Sequence, residues 1–203
     1  MIFCLMGRGA SGKDTLYNSL LEEYKGLVAP IVLYTTRPMR PGEVDGVTYH
    51  FVTLDAMQEF ETANKIFEKR SYDVIVDNKP AVFNYFTCIE NISDLQDYFI
   101  ICTPDVFDKF CNYYGSDKVS GIYLDVSSAE RRNRMTLREL KLPKSNRNFE
   151  ELDRRVKADD LVYQFDELKL KPNVSVIYAD SLSPEQVLEA AKFLVDAERV
   201  KSA

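Results

Sequence analysis

The 203-residue sequence is 45% hydrophobic and carries 26 Lys and Arg against 32 Asp and Glu, a net charge of −6. That length and apolar content suit one domain with a sizeable core, and the acidic balance argues against nucleic acid or an anionic membrane surface as a default partner. No apolar run approaches the ~20 residues of a membrane span, and the short apolar start lacks the basic leader of a secretory signal, so the expected compartment is the cytosol.

In chain order, "MIFCLM" is a short apolar run stopped by glycine, as a buried strand would be. "DTLYNSLLEEY" places Leu16, Leu20 and Leu21 at helical spacing. Between them, Gly7-Arg8-Gly9-Ala10-Ser11-Gly12-Lys13 fits the first places of the pattern G-x-x-x-x-G-K-[ST], with Asp14 where the hydroxyl residue is expected. Strand, small-residue loop and helix in that order form a phosphate cradle. Small residues let backbone N–H groups point inward, the helix start adds partial positive charge, and lysine bridges the outer phosphates. Residues 7–15 are therefore the expected ATP-binding stretch, with Lys13 catalytic. Asp14 either offers Mg²⁺ a carboxylate or caps the helix while Thr15 supplies the hydroxyl; the sequence leaves both open.

"LVAPIVLY" is a second apolar run, and "TTRPMRPGEVDG" a loop punctuated by prolines and glycines. "VTYHFV" alternates like a strand and "TLDAMQEFETA" like a short helix. "DVIVDNKPAVFNYFT" reads as a hairpin turning at residues 77–80. "DYFIICT" and "VSGIYLDV" are buried strands flanking the helix "PDVFDKFCNYYG". Ser127 to Glu130 is a capping box that opens a basic helix. "FEELDRRVKADDLVYQF" resumes helix with Leu152, Val156 and Phe165 on one side. "VSVIYAD" is the last strand, and Ser183 to Gln186 a second capping box, with Pro184 at the first helical position. The final helix carries Val187, Leu188, Ala191, Leu194 and Val195 as one stripe. Short apolar strands alternating with amphipathic helices give an α/β fold with a mainly parallel sheet. Cys4, Cys88, Cys102 and Cys111 lack metal spacing and read as reduced, mostly buried thiols. His50, the only histidine, reads as a packing or surface residue.

The segment "YTTRPMRPGEVDGVTYHF" sets Arg37 and Arg40 three apart in a proline-stiffened loop, with Tyr49 beyond a turn. Guanidinium forks suit a terminal phosphate dianion. This segment, together with the upstream loop, resembles the guanylate kinase family's Thr-Thr-Arg … Arg-x-Gly-Glu … Gly-x-x-Tyr-x-Phe run. The resemblance implies a three-layer P-loop nucleoside-monophosphate kinase fold in a single domain. Its core would be residues 1–34, 88–126 and 166–203, with an inserted mixed α/β GMP-binding lobe at 35–87 and a helical lid at 127–165. It implies transfer of the terminal phosphate of ATP to GMP or dGMP with Mg²⁺. By similarity, Arg37, Arg40, Tyr49 and Tyr85 hold the GMP phosphate, Glu68 accepts from guanine N1–H and the 2-amino group, and Thr87 touches the O6 edge. The lid arginines match best at Arg138 and at Arg154 or Arg155, with Arg134 ranked lower. No nucleic acid or membrane partner is implied.

The chain departs from the family pattern in four places. Leu33-Tyr34 stands where a serine hydroxyl is usual. The strand "FIICTPD" ends in Cys102-Thr103, with Asp105 offset. The stretch from Glu68 to Tyr85 is long, and Asp14 follows the lysine. These departures keep open a related kinase acting on another phosphorylated acceptor, such as a different nucleotide or a ribose bisphosphate. A non-catalytic binding module is the reading from another class; retention of Gly7, Gly12 and Lys13 tells against it.

Overall fold

The computed structural model describes residues 1–76, 79–89, 92–93, 95–144, 147–162 and 165–201, with backbone alone for 75–76, 79, 151, 155, 158, 160–162 and 165–166. The chain divides into two units, Met1–Ala29 with Gln96–Ala203, and Pro30–Leu95.

The first unit is built on a five-stranded sheet in the order β2-β7-β1-β8-β9. Its strands are β1 (Ile2–Met6), β2 (Val28–Pro30), β7 (Asp97–Ile101), β8 (Val119–Asp125) and β9 (Val174–Tyr178). β1 is buried along its whole length, because it pairs in parallel with β7 on one side and β8 on the other. A strand walled in on both faces can be apolar throughout. One face packs Phe3, Leu5, Phe99, Ile122 and Leu124 against Leu16 and Leu20 of α1 (Lys13–Glu23). Val187, Ala191 and Val195 of α7 (Pro184–Lys201) complete that layer. α3 (Pro104–Tyr114) buries Val106, Phe107 and Phe110. Phe107 packs beside Gly121, which points opposite to Ile122, so α3 covers the other face. α4 (Ser128–Leu140), α5 (Phe149–Val162) and α6 (Phe165–Leu168) lie between β8 and β9 in sequence. The chain start is pinned: the Met1 ammonium and Arg199 lie 2.6 and 2.8 Å from the carboxylate of Asp97. Burial pushes Asp97 up, but these two cations outweigh it and hold the carboxyl below its usual range.

The second unit carries a mixed sheet, β4-β3-β6-β5, made of β3 (Tyr34–Thr35), β4 (His50–Phe51), β5 (Ile66–Val76) and β6 (Lys79–Cys88). β3 runs parallel to β4 and antiparallel to β6, and β5 and β6 form a long antiparallel pair. α2 (Leu54–Thr62) buries Met57, and Thr53 caps it by accepting from the Ala56 N–H at 3.1 Å. Met57, Phe86 and Cys88 form the small core of this unit.

Three local expectations change. "VTYHFV" yields a strand of only His50–Phe51, because Asp45, Gly46 and Tyr49 close a turn just before it. β5 begins at Ile66, well before the apolar run "VIV"; the polar residues of "EKRSY" hid its first half. The first capping box is half formed. Ser127 Oγ accepts from the Glu130 N–H, but the Ser127 N–H donates to Asp180, and Glu130 turns to Arg134. The second box is reciprocal, with Ser183 N–H to Gln186 Oε1 at 2.9 Å and Gln186 N–H to Ser183 Oγ at 3.3 Å. The tip of the β5–β6 hairpin and the side chain of Phe165 lie outside the described residues. No helix among the described residues is long and apolar enough to cross a membrane.

Candidate active site

In the first unit, β1 runs into the loop 7–12, and α1 starts at Lys13. Gly12 caps α1 in a left-handed conformation, φ 98° and ψ 5°. A residue with a Cβ would be strained there by about 1–2 kcal/mol, which explains the second glycine of the pattern physically. Lys13 is half-buried, with Nζ 3.8 Å from Asp14 Oδ2, while the Asp14 side chain is 78% exposed. Thr15 is exposed on the next position. Ser11 Oγ is buried and, among the described residues, has no hydrogen-bond partner. A loop that shelters such a hydroxyl beside a lysine fits a phosphate chain. Among the described residues no cluster of three or more His, Cys, Asp or Glu could hold a metal unaided. A lone exposed carboxylate at the helix start fits Mg²⁺, which takes most of its ligands from phosphate and water.

Two arm helices bring charged groups to this loop, Arg131 and Arg134 from α4 and Asp159 from α5. Arg134 Nη1 donates to the backbone carbonyls of Ser11 and Ala10 at 3.2 and 3.4 Å, and Nε to Glu130 at 2.8 Å. That arginine holds the Glu130 carboxyl below its usual range, with Asn133 assisting. Arg131 is fully buried and donates to Ser128 Oγ at 3.1 Å. Its Nη1 stands 3.7 Å from Asp159 Oδ2, and the same oxygen accepts from the Gly9 N–H at 2.6 Å. Arg8 Nη1 lies 3.8 Å from Asp125 Oδ1; burial pushes the Asp125 carboxyl up, and Arg8 offsets part of that. Arg138 and Arg154 are exposed on α4 and α5, and the side chain of Arg155 lies outside the described residues. It is thus Arg134, placed below Arg138 on sequence, whose guanidinium touches the loop backbone. Arg131 and Asp159 were not singled out for this loop by sequence.

In the second unit, Arg37 is 4% exposed and gripped by Glu43. One carboxylate oxygen accepts from Arg37 Nη1 at 2.7 Å and from the Arg40 N–H at 2.7 Å; the other accepts from Arg37 Nη2. Glu43 raises the arginine further, with Tyr85 adding to it against burial. In return Arg37 pulls the Glu43 carboxyl down to about 2. The guanidinium carbon sits 5.0 Å from the Tyr49 ring centre and 5.3 Å from that of Phe51. Tyr49 and Tyr85 meet edge to face at 5.7 Å. Arg40 is exposed. Glu43, the glutamate of the Arg-Pro-Gly-Glu run, was quoted as pattern but given no role; its job is to aim Arg37.

Glu68 and Thr87 are register partners across β5 and β6. Thr87 Oγ1 donates to Glu68 Oε1 at 2.9 Å, and the Glu68 side chain is 0% exposed. Arg70, two residues on and on the same face, brings Nε to 3.2 Å from Glu68 Oε2. Tyr34, in the usual serine position, stacks on Phe86 at 5.0 Å and leans on His50 at 4.5 Å and Phe60 at 5.1 Å. Sequence identified Glu68 and Thr87 but did not anticipate their mutual bond, nor Arg70.

The loop 7–12, Arg37, Glu43 and Glu68 fall within residues 2–82, which the profile described as "Guanylate kinase" matches, and the arm residues lie beyond it. Through that segment the chain is similar to the guanylate kinase family. The guanylate kinase of Sphingopyxis alaskensis is 46% identical over 59 residues, 29% of this chain and 26% of that protein. The human guanylate kinase is 40% identical over 68 residues, 34% of each chain. The chain thus covers about a quarter to a third of the length of these relatives. The crystal structure of guanylate kinase from Anaplasma phagocytophilum superposes with a TM-score of 0.64 at 19% identity, covering 98% of this chain and 85% of that one. The α/β fold with a mainly parallel central sheet is therefore the guanylate kinase fold.

Proposed function

We propose that the protein transfers the terminal phosphate of ATP to GMP or dGMP, with Mg²⁺, giving ADP and the nucleoside diphosphate. One observation carries this reading. Tyr85, beside the Arg37–Glu43 pair, and Thr87, bonded to Glu68, are two residues apart on one face of β6. A two-residue step of strand is about 7 Å, the scale on which a ribose separates a phosphate from its base. Arg37, Arg40, Tyr49 and Tyr85 then form the phosphate end of the acceptor seat, and Glu68 with Thr87 the base end. A carboxylate facing two adjacent donors favours guanine over adenine, whose edge presents no such donor pair.

On the donor side, the amides of residues 7–12 and Lys13 bind the triphosphate, and Asp14 is the proposed protein group for the metal. Mg²⁺, when bound, neutralises charge on the phosphate oxygens. Arg131 and Arg134 hold the arm helices at the loop. Arg138, Arg154 and Arg155 are the proposed lid cations for the transferring group. Positioning and positive charge are what this reaction asks of a protein, so no strong general base is required. The four cysteines are free thiols, which supports a cytosolic site of action.

Arg70 beside Glu68, and the Tyr34 ring in the serine position, favour a second reading with the same chemistry and an acceptor other than GMP. A coupled ADP-release assay on Lys13→Ala and Glu68→Gln separates the two. Lys13→Ala is expected to lose about a hundredfold or more in turnover. Glu68→Gln is expected to lose kcat/KM on GMP by about tenfold or more, since a hydrogen bond to a charged group is worth about 1.5–3 kcal/mol. Unchanged GMP kinetics in Glu68→Gln would remove the guanine reading.

A further inference from the structure

The carboxylate of Asp159 bonds a loop amide that the proposed reaction assigns to phosphate. It comes from α5, 150 residues along the chain from Gly9, and its Oδ2 accepts from the Gly9 N–H at 2.6 Å. Gly9 lies inside the loop whose amides the proposed reaction assigns to phosphate oxygens. A Cβ built on Gly9 would stand 2.5 Å from that oxygen and 2.8 Å from Met135 Cε of α4, so the missing side chain is what admits the carboxylate. The buried Arg131 flanks it, with Nη1 3.7 Å from the same oxygen. A backbone N–H and a guanidinium facing one anionic oxygen is the donor set that a phosphate oxygen would meet.

We propose that Asp159 is an internal stand-in for phosphate: it occupies an oxygen position of the phosphate loop when no nucleotide is bound, and the triphosphate must displace it. This rests on the reading of residues 7–13 as a phosphate loop. Two anions cannot share one N–H, and the like charge of the incoming phosphate adds repulsion. Asp159 therefore lowers ATP affinity and ties α5 to the loop until nucleotide arrives. Other charged groups about the loop are Arg8 with Asp125, Arg134 with Glu130, and Lys13 with Asp14. Each cation in that set keeps a neighbouring carboxylate, so Asp159 is the carboxylate that bonds a loop amide. Its side chain is 29% exposed.

A merely structural aspartate and an internal competitor predict opposite signs. Calorimetric titration of the full chain with MgATP, and separately with pyrophosphate, compares wild type with Asp159→Asn and Asp159→Ala. The competitor predicts tighter binding of both ligands, about threefold for Asp159→Asn and about tenfold for Asp159→Ala, since a charged acceptor bonds about twice as strongly as a neutral one. KM for ATP should fall in parallel while KM for GMP stays put. Hydrogen exchange of 149–162 in the nucleotide-free variants should match that of wild type with ATP bound. Equal or weaker ATP binding in Asp159→Ala, with melting temperature retained, overturns the proposal while leaving the phosphate loop intact. A wild type and variants that all fail to bind ATP and pyrophosphate overturn the loop reading itself, and this proposal with it.

Discussion

Arg37 and Glu43 show how one residue pair converts loop sequence into a candidate binding group. A guanidinium 4% exposed would be costly to bury alone; Glu43 meets it with both oxygens and takes the Arg40 N–H as well. The proline-stiffened loop shortens the search for that geometry. Replacing Glu43 with Gln keeps the shape and removes the charge. It is expected to raise KM for GMP about tenfold, by the worth of about 1.5–3 kcal/mol of a charge-assisted bond, with a smaller effect on kcat. The pH dependence has a definite sign. Arg37 depresses the Glu43 carboxyl from 4.5 to about 2, so what the pair contributes is complete above the ordinary value and is lost as pH falls through about 2. The wild-type KM for GMP should then show no titration of Glu43 between about pH 5 and 8. A KM that climbs through that window in wild type but is flat in Glu43→Gln would contradict the pairing. Glu68 was reached only through the family resemblance, while Gly12, Lys13 and Arg37 were legible in sequence because each sits in a dense local pattern. Asp159, Arg131 and Arg70 were not, since each acts through a partner that short-range spacing does not reveal.

Element by element, apolar runs were the readable signal. "MIFCLM", "DYFIICT" and "VSGIYLDV" became β1, β7 and β8, because a parallel strand covered on both faces is apolar throughout. β5 escaped notice at its start, since Glu68, Lys69, Arg70 and Ser71 read as a polar loop. Their alternation pairs Glu68 with Arg70 on one face, and that face holds the candidate base site. Function therefore concealed structure there. α1 links the loop to the core through Leu16 and Leu20: Leu20 is fully buried against β1 and β7 partners, while the glycine that starts the helix shapes the loop. Leu20→Ala is expected to destabilise the first unit by about 2–5 kcal/mol, measured by denaturant unfolding. A cost below about 1 kcal/mol would mean that this face is not close-packed.

At the scale of the whole molecule, the chain joins a unit carrying the loop and the arm helices to a unit carrying the arginine–glutamate pair and the buried carboxylate. The α/β class and the mixed inserted lobe followed from the rhythm of the sequence. The division between units falls at Pro30 and Leu95. Family segments 2–82 cover the acceptor loop and the phosphate loop together. The arm helices beyond them carry Asp159 and Arg134, which contact the loop backbone.

Whether the two units do one chemistry is tested most directly by a single set of initial rates: ADP release from ATP with GMP, dGMP, AMP, CMP or UMP as acceptor. A buried carboxylate facing two donors predicts kcat/KM for GMP and dGMP about a hundredfold or more above the other three. Equal rates across the five acceptors would contradict the account, and rates no higher than ATP hydrolysis without an acceptor would do so as well.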